Sequence, residues 1–138
     1  MIEIQIITDS GLFVLIWFVQ VIIYPSFRYT EEREFILWHA RYMSTISLIV
    51  SPLILLQIGV EMVHVFQNDY RWLRLLMVCA VLISTFSLSV PNHRRLSRYG
   101  KDPLIISRLV LTNWPRTACW SVLFAETIFT IANYPYPL

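Results

Sequence analysis

Charge is scarce in this sequence. Asp, Glu, Lys and Arg together make up 14% of the chain, apolar residues 57%, and the mean hydropathy is +0.59. A water-soluble domain of 138 residues needs more polar surface than this, so most soluble classes are excluded. A net charge of +2 leaves no basic footprint for a polyanion, and no nucleic-acid partner is expected. Glycine is almost missing: Gly11, Gly59 and Gly100 stand alone, which rules out GxxxG helix pairing and a glycine-rich phosphate loop. The two cysteines, in LMVCAVL and TACWSVL, form no CxxC, and Cys79 and Cys119 read as buried, reduced thiols. Also missing are an HExxH, a Ser/His/Asp arrangement and a pair of catalytic carboxylates, and neither His39 nor His93 belongs to an ExxH. The first ten residues, MIEIQIITDS, contain neither Lys nor Arg and so lack the basic start of a cleavable signal peptide. The apolar run that follows therefore reads as a retained membrane helix.

What is present is length without charge. Ser10 to Phe27, Met43 to Val60, Leu75 to Asn92 and Thr117 to Leu138 are almost free of ionisable groups, Glu126 interrupting the last. Each approaches the roughly 20 residues that a helix needs to cross a hydrocarbon core. Strands of a closed barrel would alternate, and these do not. The expectation is an all-α integral membrane protein, one domain over residues 1–138, with four transmembrane helices spanning about 5–25, 35–66, 70–91 and 115–134. Pro25 should end the first helix near Tyr24, and Pro91 the third. Pro52 should kink the second. Between the third and fourth spans, PNHRRLSRYGKDPLIISRLVLTNWP reads as short amphipathic helices lying in the interface, broken at Gly100 and Pro115.

Basic residues are unevenly placed. Arg28, Arg33, Arg41, Arg94, Arg95, Arg98, Lys101, Arg108 and Arg116 fall at the first and third connections, against Arg71 and Arg74 at the second. By the positive-inside rule, the first and third connections face the cytoplasm and both termini the periplasm of a bacterial inner membrane. Tyr24, Trp38, Trp114 and Trp120 would then anchor the inner interface, and Trp72, Tyr134 and Tyr136 the outer.

That topology gathers a polar set at the cytoplasmic end: Gln20 and Tyr24, then His39, Arg41 and Tyr42, then His93, and finally Asn113, Arg116 and Thr117. These side chains could bond one another and meet lipid phosphates, or line a pocket for a ligand. His39 and His93 could supply nitrogens to a metal or a haem iron, although neither sits in a metal-binding spacing. His64 is alone near the other end. Glu126 lies well inside the last span, where an acid is costly and calls for a partner. Glu61 and Asp9 are placed to be its companions, as are Ser84, Thr85, Ser87 and Ser89; a proton relay or a bond between helices would follow.

Several of these residues recur in a pattern. WFVQVIIYPSF, FILWHARYMSTISLIVSPLILLQ, VPNHRRLSRYGKDP and LVLTNWPRT with Trp120 resemble a family of small, uncharacterised four-helix bacterial membrane proteins. The likeness covers most of the chain and singles out Trp17, Gln20, Tyr24, Pro25, His39, Pro52, Pro91, His93, Asn113, Trp114, Arg116, Thr117 and Trp120. This chain departs from it at Tyr42, where the family has a second histidine, and at Gln57, where an acid is expected. The resemblance implies the fold and the membrane, and no reaction.

Two functions fit these residues. One is a non-catalytic accessory subunit of a respiratory or photosynthetic membrane complex, packed against membrane lipids and other subunits or copies of itself, and holding lipid, pigment or quinone between its helices. The other is a membrane oxidoreductase or ligand-binding enzyme, with haem, metal or an organic cofactor at the His/Arg cluster.

Overall fold

The computed structural model describes residues 1–69 and 71–133, and among them every regular element is helical. Four helices follow one another: α1, Ile2–Ser26; α2, Phe35–Phe66; α3, Trp72–Tyr99; and α4, Pro103–Asn133. Of these, α1, α2 and α3 are long and apolar enough to cross a membrane. Tyr134 and Tyr136 lie outside the described residues.

The distribution of side chains is the reverse of a soluble protein's. Leu48, Leu55, Ile83, Phe86 and Phe129 are open to the surroundings, whereas Gln5, Asp9, His39, Glu61, Arg74 and Asn113 are buried. Polar groups inside and apolar groups outside are what a helix bundle in lipid requires. Along α4 the buried residues Ile105, Leu109, Asn113, Arg116, Trp120, Leu123 and Thr127 recur every three or four positions, one stripe facing the other helices.

The helices pack as a square. α1 lies against α2 and α4, and α3 against α4 and α2, while across the α1/α3 and α2/α4 diagonals the backbones of the described residues stay apart and only side chains meet. The α2/α3 side is the loosest. It is held mainly by Val90–Tyr99 of α3, with few contacts along Trp72–Ser84, so the seam stands open along its middle. Gly11 of α1 faces Leu53 of α2, where an added Cβ would make an ordinary contact at 3.4 Å.

Three expectations are corrected. Neither α1 nor α3 stops at its proline. A wider π turn, Val19–Ile23 or Thr85–Ser89, precedes Pro25 or Pro91, and the last donor before each proline reaches five residues back, Tyr24 N–H to Val19 O and Val90 N–H to Thr85 O. The widened turn relieves the clash that a proline ring makes in an unbroken α-helix. The short interfacial helices do not exist as separate elements: Val90–Tyr99 prolongs α3, the chain breaks at Gly100, whose φ of 86° favours glycine, and α4 then runs through Pro115 without a break. Pro52, Pro91 and Pro115 are all exposed on the outside of the bundle. Finally, Cys79 is exposed and Cys119 only half-buried, because an apolar sequence context in this chain means the outer surface as readily as the core.

Candidate functional site

The interior holds two polar clusters, one at each end of the square. At the end where α1 begins and α4 finishes, Arg74 on α3 is 1% exposed and reaches all three other helices. Its Nη2 donates to Asp9 Oδ2 of α1 at 2.7 Å, its Nε to Glu61 Oε1 of α2 at 2.8 Å, and its Nη1 to Glu126 Oε2 of α4 at 2.6 Å and to Thr127 Oγ1 at 3.0 Å. Arg71 donates to Glu126 Oε1 at 2.6 Å and to Gln5 Oε1 at 3.0 Å. Three carboxylates thus surround two guanidinium groups. Glu126 does share a site with Asp9 and Glu61, but the cations that hold the three acids together are the two arginines counted in the sequence as flanking charge. The serines of α3 take no part: Ser84 Oγ and Ser89 Oγ have no partner at all. His64 is not alone, since Nδ1 lies 3.0 Å from Asp69 Oδ2.

The cluster at the opposite end is made by α1, α2, α3 and α4 together. Tyr24 Oη lies 3.0 Å from His93 Nε2, His93 Nδ1 3.1 Å from His39 Nε2, and His39 Nδ1 3.0 Å from Ser97 Oγ. The two imidazoles stack with ring centres 5.3 Å apart, Phe35 stacks on His39 at 5.5 Å, and Phe27 packs edge-on to His39 at 5.6 Å. The rings are held by packing as well as by hydrogen bonds. Each imidazole N–H can donate in the same direction along this row: from Tyr24 to Ser97 every N–H and O–H between them finds an acceptor, and in the reverse sense the Tyr24 oxygen accepts and its own proton turns out of the row. A proton entering at one end can therefore leave at the other. Ser97 is exposed and His93 is buried, so the row runs from the surface to the interior.

Beside it runs a second row. Asn113 Nδ2 donates to Gln20 Oε1 at 2.8 Å, Gln20 Nε2 donates to Val110 O at 3.1 Å, and Arg116 Nη2 donates to Asn113 Oδ1. The π turns matter here: one carries Gln20 and ends at Tyr24, and the other carries Thr85 and Ser89. π turns inside helices often mark functional sites.

Of the residues expected at this end, Gln20, Tyr24, His39, Tyr42, His93, Asn113, Arg116 and Thr117 come together. Arg41 does not; it is exposed on the outer face of α2. Tyr24 and Trp120, expected as interfacial anchors, are buried, and Trp120 Nε1 donates to Gln57 Oε1 at 3.1 Å. Gln57 Nε2 in turn donates to Asp9 Oδ1 at 2.8 Å, tying Trp120 to the arginine cluster.

Between the two clusters, along the open α2/α3 seam, lies a cleft of about 510 Å³. Tyr42, His93, Asn113 and Arg116 form its polar end; Ile46, Val50, Ile54, Leu82 and Phe86 form its walls; Trp120 and Ile58 lie farther along it. Pockets for small molecules typically occupy roughly 300–1,000 Å³ and combine apolar walls with a few convergent polar groups. A second, smaller hollow of about 380 Å³ reaches His93 past Ser97 and Arg98.

Haem and metal ligation fit this arrangement poorly. All four ring nitrogens of His39 and His93 are engaged, by Ser97, by each other and by Tyr24, so neither imidazole is presented to an iron. Among the described residues, no three His, Cys, Asp or Glu side chains converge as metal ligands would. No family model matches the chain, and no curated protein or solved structure is significantly similar to it.

Proposed function

We propose that this chain is a bacterial inner-membrane protein that crosses the bilayer four times and holds a membrane-soluble ligand, a lipid, pigment or quinone, in the cleft between α2 and α3. The observation that carries this reading is the cleft itself: it opens sideways, towards where lipid tails would lie, and its polar groups are gathered at one end. α4 is the fourth span in this reading. It carries Arg108, Arg116 and Glu126, yet Arg116 is buried and Glu126 is paired with arginines. The basic connections face the cytoplasm and the termini the periplasm. Short connections and a small size suit an accessory subunit that serves a larger membrane complex, and the likeness to small four-helix bacterial membrane proteins suits the same architecture.

A second reading is favoured by one specific observation. The Tyr24–His93–His39–Ser97 row joins the cleft to the surface and suits delivery of a proton to a bound quinone-like head, as a membrane oxidoreductase would need. Extraction in mild detergent, with an absorption spectrum and a native mass, separates the two. A larger assembly carrying a colourless or pigment ligand supports the subunit; an isolated chain that turns over an added quinol with an artificial electron acceptor supports the enzyme. An isolated, ligand-free and inactive chain contradicts both.

A further inference from the structure

Arg116 carries its charge into the interior with nothing negative beside it. The residue is 5% exposed, and its hydrogen-bond partners are neutral: Nη1 donates to Thr85 Oγ1 at 3.4 Å and Nη2 donates to Asn113 Oδ1. Its Nε is buried and donates to nothing. Among the described residues the ion pairs all lie elsewhere, and the contrast with Arg74, met by three carboxylates, is complete. A guanidinium buried without an anion is costly enough to call for one.

A second unsatisfied atom stands in the same place. Ser89 Oγ is buried and unpartnered, and Ser89 and Arg116 both line the polar end of the cleft. Orphaned polar atoms are uncommon in native interiors, and two lining one cavity point to a group that completes them. Beyond them the walls turn apolar, through Ile46, Val50 and Phe86, which a free inorganic anion would not use but a hydrocarbon chain would.

Resting on the reading of the cleft as a ligand site, we infer that its occupant is an amphiphile with an anionic head, a carboxylate or a phosphate. The head accepts hydrogen bonds from Arg116 Nε and Ser89 Oγ, and its chain follows the α2/α3 seam towards Trp120. A neutral quinone or an uncharged pigment leaves Arg116 without its counter-charge, so a lipid is the class selected.

Trp120 lies along the cleft beyond its polar end, so its fluorescence reports entry of a chain carrying a quencher. The test uses the full chain in mild detergent, with the Trp120→Phe variant as background, and three probes of equal length: dibromostearate, dibromostearyl phosphate and dibromostearyl alcohol. At least one anionic probe is expected to quench the Trp120 signal at tenfold lower concentration than the alcohol. Whichever anion quenches at the lower concentration assigns the head as carboxylate or phosphate. Arg116→Gln should erase the advantage over the alcohol while the alcohol binds as before; Arg116→Lys, which keeps the charge, should preserve a preference and serves if the Gln variant does not fold. Equal quenching by alcohol and anions, or a preference that survives Arg116→Gln, overturns the inference and leaves the cleft reading standing. Quenching of Trp120 by none of the three overturns the cleft reading itself.

Discussion

Arg74 Nη2 lies 2.7 Å from Asp9 Oδ2, an ion pair that joins α3 and α1, two helices whose backbones do not approach each other among the described residues. Because Glu61 and Glu126 bind the same guanidinium, Arg74 is the point at which all four helices are tied.

Removing Arg74 and removing one of its acids should therefore differ sharply. Arg74→Met leaves Asp9 and Glu61 buried and unpaired, and breaking a buried pair from one side costs about 3–5 kcal/mol. Glu61→Gln keeps the acceptor for Arg74 Nε, replaces an orphaned Oε2 and removes the surplus negative charge of three acids over two arginines. Thermal unfolding in detergent should show a large loss for Arg74→Met and little or none for Glu61→Gln. Equal losses would contradict the assignment of Arg74 as the hub.

The row through the two histidines makes a spectroscopic prediction. With His39 Nε2 and His93 Nδ1 3.1 Å apart, nitrogen NMR of the histidine-labelled chain should detect coupling across the N–H···N bond. His93→Gln should abolish it and leave His64, at the other end of α2, undisturbed. Two independent imidazoles with no coupling would remove the basis for a proton row.

Orientation has a separate consequence. In a chain whose Cys79 and Cys119 are replaced by serine, cysteine at the exposed Glu3 should react with an impermeant thiol reagent in intact cells. Cysteine at Arg33, whose side chain is 90% exposed, should react only after lysis. The reverse pattern would invert the topology.

Much of this was legible in the sequence, and the exceptions have physical causes. The bounds of α2 and the gathering of Gln20, Tyr24, His39, His93, Asn113 and Arg116 follow from charge-free runs and from helices that alternate in direction. Arg74 looks in sequence like an interfacial charge because it lies near a span's end; its burial is signalled only by Asp9, Glu61 and Glu126 falling at the same depth. Arg41 shares the depth of His39 but not its face of the helix, since residues two apart point in different directions, and so it lies outside the cluster. Pro25 and Pro91 suggested helix ends because nothing in a linear pattern announces a π turn. The open α2/α3 seam is invisible in sequence, being a property of how four helices close.

The most direct test of the account is native mass spectrometry of the chain released from its own membrane in mild detergent, beside Val50→Trp, a variant that fills the middle of the cleft. The account predicts that the unmodified chain carries a bound lipid, identifiable after extraction as an anionic species, and that Val50→Trp is folded and bare. A folded, unmodified chain at its bare mass, or a Val50→Trp chain that keeps the same bound lipid, would contradict it.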